Sequence, residues 1–381
     1  MNAPDPVALT QDLIRCPSVT PADEGALDVL ERALAGQGFA CTRLPFGHEP
    51  DGPVDNLFAT LAGGPGPHFA FAGHSDVVPA GDRNGWSEDP FAAEMKDGFI
   101  VGRGAADMKG ALAAMIAATA RHLGRGPLVG RLSFIITGDE EGPATFGTTM
   151  MLDWMEANGL VPDMCLVGEP TSQQKLGDMM KIGRRGSLNA WLTVNGAQGH
   201  VGYPHMADNP ITRLVAIVAE LKARVLDKGN DWFQASNLEI TDLAVGNPAT
   251  NLIPAQARAR LNIRFNNEHT GASLSDWIRD VVAAHAPASH VEIKVSGEAF
   301  LTEPGALSSL VSAAITDVTG RSPELSTTGG TSDARFIRRL CPVVEFGLPG
   351  QSMHKVDEHA AVADVTGLTS IYEAVLARAL A

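Results

Sequence analysis

Five times along the chain, a cluster rich in glycine, histidine and acids falls where an apolar, strand-like run ends. The clusters are Phe71-Ala72-Gly73-His74-Ser75-Asp76, Gly102-Arg103-Gly104-Ala105-Ala106-Asp107-Met108-Lys109-Gly110, Thr137-Gly138-Asp139-Glu140-Glu141-Gly142, Val167-Gly168-Glu169-Pro170-Thr171 and Met353-His354-Lys355-Val356-Asp357-Glu358. Open α/β sheets bind ligands in a crevice at the carboxyl ends of their strands. The pattern therefore predicts a fold of that class, with all five loops converging on one crevice.

The rest of the pattern agrees with this class. Strands over 56–62, 69–73, 132–137 and 164–167 alternate with helices over 23–38 and 108–123, which implies a mostly parallel sheet covered on both faces. The middle section changes character: strand 187–195, helix 210–226, strands 238–245 and 257–265, a helix over 273–285 opened by Ser273, and strand 291–295. The order β-α-β-β-α-β is the split βαβ arrangement. The tail returns to α/β, with helices over 305–318, 333–338 and 365–379 and strands over 324–326 and 343–346. At 381 residues the chain exceeds the size of one growing core. The expected architecture is a catalytic domain with a mixed, mostly parallel sheet, built from residues 1–182 and 296–381. An inserted ferredoxin-like (βαββαβ) lid and dimerisation domain covers 183–295.

Charge removes whole classes of partner. A formal net charge of −15 argues against nucleic acid and anionic membranes, which need basic patches. No stretch approaches the ~20 apolar residues that span a bilayer. The start, Met1-Asn2-Ala3-Pro4-Asp5-Pro6, has no basic or apolar leader, so a cytoplasmic protein is expected. Cys16, Cys41, Cys165 and Cys341 form no CxxC pair, and reduced structural thiols are expected.

Taken singly, each cluster has an ordinary explanation: His-x-Asp as a surface hydrogen bond, Glu-Glu as a solvated turn, Gly-Glu-Pro as turn chemistry. Together they supply two imidazoles, several carboxylates and no thiol, a donor set that suits zinc, or cobalt and manganese. A bridging carboxylate from Asp107 would let five side chains hold two ions. Asp76, two residues beyond His74, is placed to accept the second imidazole N–H and fix the tautomer. Glu140 and Glu141 diverge in direction, so one can bind metal while the other shuttles protons.

Three further segments carry a resemblance. They are Lys181-Ile182-Gly183-Arg184-Arg185-Gly186-Ser187, the stretch from Gln198 through Gly199-His200-Val201-Gly202-Tyr203-Pro204 to Pro210, and Thr328-Gly329-Gly330-Thr331-Ser332-Asp333-Ala334-Arg335-Phe336. With the five clusters in this order, the chain resembles the dinuclear zinc aminoacylase and exopeptidase family over nearly its whole length. The resemblance implies two Zn2+ per subunit, with Co2+ able to substitute. His74, Asp107 and Glu169 would hold one ion, and Asp107, Glu141 and His354 the other. Glu140 would be the general base acting on a bridging water activated by the metals, with Asp76 supporting it. His200 would supply an oxyanion donor to the partner subunit, which makes the enzyme a homodimer. Arg184, Ser187, Tyr203, Asn251, Arg264, Gly330 and Thr331 would bind the substrate, and the peptide Asp107–Met108 would be cis.

The three segments point within the family to hydrolysis of N-succinyl-LL-2,6-diaminopimelate, a small dicarboxylate N-acyl amino acid of lysine biosynthesis, to succinate and LL-diaminopimelate. An acetylornithine deacetylase or a related zinc exopeptidase or aminoacylase is the alternative. Two positions depart from the family pattern: Gly350 stands where some relatives place a substrate-contacting asparagine, and Phe146 where a polar residue is expected. The other histidines, His205 and His359 among them, read as surface or structural groups.

Overall fold

The computed structural model describes residues 3–50 and 52–381, so Met1 and Asn2, part of the amino-terminal reading, lie outside the described residues. The chain divides into two compact units. One comprises residues up to Ile182 with Thr302–Ser326 and Ser332–Ala381; the other comprises Gly183–Leu301 with Thr327–Thr331. The second seam therefore falls after Leu301 and not at 295. The cause is local pairing, since Phe300–Leu301 forms an antiparallel ladder with Gly183–Arg184.

The first unit is built on an eight-stranded sheet. Its spatial order is Ala40–Arg43, Leu57–Ala62, Val129–Thr137, Gly64–His74, Met164–Val167, Val343–Glu345, Met179–Lys181, Glu324–Ser326. The central pairs Gly64–His74 with Val129–Thr137, Gly64–His74 with Met164–Val167, and Met164–Val167 with Val343–Glu345 are parallel, as is Met179–Lys181 with Glu324–Ser326. The remaining pairs are antiparallel, so the sheet is mixed and mostly parallel. Phe69, Ala70 and Phe71 are fully buried in succession, as expected of a strand covered on both faces. Helix Gly110–Leu123 is buried over its first ten residues, and its alanines let Pro6–Ile14 and Val362–Ala379 approach closely.

Local chemistry moves several boundaries away from the periodicity. The helix expected from Met108 starts at Gly110, because Asp107 (φ −125°, ψ 96°) and Met108 (φ −130°, ψ 31°) leave helical geometry; the peptide between them is cis. Helix Gly271–His285 is capped by Thr270, and Ser273 completes the capping box from its third position. Helix Pro6–Ile14 was not expected, although Asp5 accepts from Val7 N–H at 3.0 Å and Pro6 opens it. A hairpin of Glu94–Lys96 and Phe99–Val101 turns at Asp97-Gly98, both at positive φ (50° and 84°), and His359–Ala361 adds a third strand.

The second unit carries a four-stranded antiparallel sheet in the order Asn237–Ala244, Gln256–Phe265, Gly186–Asn195, His290–Gly297. Helices Pro210–Ala223 and Gly271–His285 complete the chain order β-α-β-β-α-β. Alternate residues point inward, Leu188, Ala190, Leu192 and Val194 on one strand and Ala257, Ala259, Leu261 and Ile263 on another. They meet Leu214, Ile217, Leu221, Leu274, Ile278 and Val282 from the helices. No helix among the described residues is long and apolar enough to cross a membrane. All four cysteines are free, and burial pushes the Cys341 thiol up to about 12.

Candidate metal centre

His74 ends the strand Gly64–His74 and is buried. Its Nε2 lies 3.2 Å from Asp107 Oδ1 and 3.9 Å from Glu169 Oε1. His354 Nε2 lies 2.8 Å from Glu141 Oε1 and 3.2 Å from Asp107 Oδ2. The two oxygens of Asp107 thus face different imidazoles. Candidate ligand atoms lie within 4.8 Å of one another in each of three groups among the described residues: His74–Asp107–Glu169, Asp107–Glu141–His354, and His74–Glu140–Glu141. All these residues belong to the first unit.

Asp76 does its work differently from the expectation. His74 Nδ1 bonds the Asp76 backbone carbonyl at 2.9 Å, and the carboxylate stands 3.6 Å from that nitrogen. A carbonyl only accepts, so Nδ1 carries a hydrogen and Nε2 is the nitrogen left facing Asp107 and Glu169, donating to Asp107 without metal and free to ligate a cation once it gives up its proton. The carboxylate instead accepts the backbone N–H groups of Glu140 and Glu141 at 3.2 and 3.0 Å. Those donors at the turn after Val129–Thr137 lie nearer than the imidazole, and charge-assisted bonds to them hold both glutamates in place. Sequence reasoning missed a second such device. Asp139 is buried, and its carboxylate accepts from Ala144, Thr145 and Phe146 N–H at 3.2, 2.8 and 2.9 Å. An aspartate followed by Gly142-Pro143 and small residues was the available signal for such a closed turn. Phe146, the departure noted above, packs its ring over Gly47, where a Cβ would meet it at 2.4 Å.

The electrostatics describe a site short of positive charge. Hydrogen bonds to Asp107 and Glu141 push His354 up to about 10. Burial alone would lower His74, yet Asp107 and Asp76 raise it well above its ordinary value. Asp107 is held well below the usual carboxylate range despite burial, by the two imidazoles. Burial, reinforced by Glu169 and Asp333, raises Glu140 well above the usual range, and burial carries Asp76 up to about 6. Converging carboxylates and imidazole nitrogens without a thiol are a donor set that fits a pair of divalent cations.

The remaining predicted residues lie in the second unit. His200 pairs with Leu252 across a short ladder, Asn251 O accepts from Val201 N–H at 3.1 Å, and the Tyr203 ring stands 5.6 Å from that of His200. These three therefore share one exposed corner. Elsewhere Ser187 is in register with Arg264, whose pKa burial and neighbouring Arg185 lower. Arg184 is buried, and Gly329 (φ 105°) leaves room for its Nη1, which a Cβ would meet at 2.7 Å. Gly330 and Thr331 follow in the same segment. The His205 ring meets that of Tyr203 edge-on with centroids 6.3 Å apart, and His359 Nδ1 lies 2.8 Å from the Asp357 carbonyl.

An α/β sheet with acidic and imidazole donors gathered beyond its strand ends defines a metallohydrolase scaffold, and the comparisons give it a family. The chain belongs to peptidase family M20/M25/M40, which matches residues 70–378. Its curated relatives include the succinyl-diaminopimelate desuccinylase of Rhizorhabdus wittichii, 62% identical over 99% of this chain and 98% of that protein. The desuccinylase of Gluconacetobacter diazotrophicus is 59% identical over 98% of this chain and 96% of that protein. Among solved structures, aminopeptidase PepT from Bacillus cereus superposes with a TM-score of 0.81 at 20% identity, covering 98% of both chains. The Bacillus subtilis YxeP protein, described as a dinuclear metal-binding peptidase, gives 0.72 at 16% identity, covering 98% of this chain and 97% of that one. At such identities these two show the fold alone.

Proposed function

We propose that the chain hydrolyses the succinyl amide of N-succinyl-LL-2,6-diaminopimelate to succinate and LL-diaminopimelate, a step of lysine and diaminopimelate biosynthesis. The single observation that carries the chemistry is Asp107 presenting one carboxylate oxygen to each of two imidazoles. Near-full-length identity of 62% to a desuccinylase supports the substrate. His74, Asp107 and Glu169 would hold one Zn2+, and Asp107, Glu141 and His354 the other, with Co2+ able to substitute. When bound, such ions would act as Lewis acids and lower the pKa of a bound water from about 15.7 toward ~7.

Glu140, held through its backbone by Asp76, takes the proton from the attacking water. Oxygen adds to the succinyl carbonyl, and His200 of a second subunit donates to the oxyanion. Glu140 then passes the proton to the amine nitrogen as the C–N bond breaks, so one water is consumed and no proton is stranded. Arg184 and Arg264 offer forked cations for substrate carboxylates, aided by Ser187, Tyr203, Asn251 and the Gly330-Thr331 turn. In this reading residues 183–301 form a ferredoxin-like lid and dimerisation domain, and the enzyme is a cytoplasmic homodimer.

Purified zinc-loaded protein should release succinate from N-succinyl-LL-2,6-diaminopimelate far faster than acetate from N-acetylornithine. Preference for the acetyl substrate would replace this reading with that of a deacetylase.

A further inference from the structure

Glu358 is completely buried and Arg103 is 3% exposed, yet neither is among the metal donors described above. Their ion pair is close, with Arg103 Nη1 2.6 Å from Glu358 Oε2. The second oxygen, Oε1, accepts the backbone N–H of Ala106 at 3.0 Å and of Asp107 at 3.1 Å. Below it, Gly102 N–H donates to the Glu358 carbonyl at 2.8 Å, and the ladder continues with His359 against Val101. Arg103 reaches the other way as well: Nη1 donates to Lys355 O and Nη2 to Pro79 O, both at 3.3 Å, and the guanidinium stands 5.3 Å from the Trp86 ring. One buried pair therefore grips the backbone of Asp107 and the carbonyl of the residue directly after His354.

We infer that Glu358 and Arg103 form a positioning frame, which fixes the shared carboxylate of Asp107 against the imidazole of His354 and so sets the spacing of the metal pair. The inference rests on the metal reading given above. Burying two charges is a poor route to stability alone, since well-packed apolar residues of similar volume often do as well or better. What the charges provide is direction. Both Glu358 oxygens are committed, one to Arg103 and one to two N–H groups, so Glu358 acts on Asp107 through the backbone. Asp107 must offer its two oxygens to different imidazoles, and a small rotation about its backbone would move both contacts. Anchoring its own N–H and that of Ala106 removes this freedom, while the grip on Lys355 keeps the His354 loop at the matching height.

Glu358→Gln keeps the shape but faces Arg103 with an amide in place of a charge. Arg103→Lys keeps the buried cation and removes the planar fork. Leu30→Ala, at a fully buried position on helix Ala26–Ala35, loosens the fold without touching the frame. Each protein is stripped of metal, checked by thermal unfolding, and titrated with Zn2+ and Co2+ against a chelating dye, with the Co2+ visible spectrum recorded at saturation. Outer-shell partners of metal ligands are worth about 10- to 100-fold in metal affinity, so both frame variants should lose that much and show an altered Co2+ spectrum. Leu30→Ala should lower the unfolding temperature and bind metal normally. Frame variants with wild-type affinity, stoichiometry and spectrum overturn the inference, and if Glu358→Gln does not fold, Arg103→Lys alone decides. Wild-type protein that takes up no metal overturns the metal reading and this inference together, whereas normal wild-type uptake with unaltered variants overturns this inference alone.

Discussion

Glu140 and Glu141 are chemically identical neighbours, and their surroundings divide them. Glu141 faces His354 at 2.8 Å, whereas Glu140 is raised well above its usual range by burial and by Glu169 and Asp333. A carboxylate that binds its proton more firmly than its neighbour, and is not paired to an imidazole, suits the role of proton carrier. Glu140→Gln should therefore keep both metals by elemental analysis while kcat falls by about 10²- to 10⁴-fold. Unchanged turnover removes Glu140 from the mechanism. The imidazoles yield a prediction with a definite sign. In the metal-free protein hydrogen bonds to Asp107 and Glu141 raise His354 to about 10, so it is protonated at pH 7, and Asp107 and Asp76 push His74 upward as well. Their ion pairs stabilise that form fully below the unfolded value of ~6.5. For His354 the contribution is lost as pH rises through about 10. Metal needs neutral imidazole, so filling the site at pH 7 should release at least the His354 proton, and affinity should climb with pH. Calorimetry in buffers of different ionisation enthalpy counts the protons released, and a count near zero contradicts the assignment.

At the scale of elements, the donors are placed by strand ends and by the turns that leave them. The turn after Val343–Glu345 runs against the Glu169 loop so closely that a Cβ on Gly347 would meet the carbonyl oxygens of Gly168 and Glu169 at 2.4 Å. Those atoms are backbone and have no side-chain rotamer to yield. Gly347→Ala should thus displace Glu169, cost about 1–3 kcal/mol by overpacking, and leave the dialysed protein deficient in metal. Denaturant midpoints and metal content measure the two effects, and normal metal content would show that the turn does not position Glu169. Elements also show where the pattern was hard to read. Asp5-Pro6 is a sound helix start and Asp97-Gly98 a sound hairpin turn. The first opens a helix of only nine residues, shorter than the window in which helical periodicity is read, and the second joins strands of only three residues, below the length at which alternation registers. The helix predicted from Met108 began late because the chain must present Asp107 from an extended backbone, which overrides alanine-rich propensity.

For the whole molecule, the proposed sharing of His200 between subunits makes a prediction that no single chain can meet. Glu140→Gln and His200→Ala dimers should each be nearly inactive. Mixed under conditions that exchange subunits, they should recover about a quarter of wild-type turnover, since half the dimers then contain one complete site of two. No recovery despite exchange would confine the active site to one chain. The donor inventory, the strand–helix alternation and the antiparallel insert were all legible in the sequence, because each is carried by residues near one another along the chain. Asp76 shows where that reading stops: its carboxylate was expected on His74 and turns instead to the N–H groups of Glu140 and Glu141, sixty-four and sixty-five residues away. The sequence by itself determined which donors exist and that they stand at strand ends. Which oxygen meets which nitrogen was decided only by tertiary structure. Those distances depend on the register of Gly64–His74 against its parallel neighbours and on the return of residues 353–361 beside Asp107, and both are pairings between segments far apart in the chain.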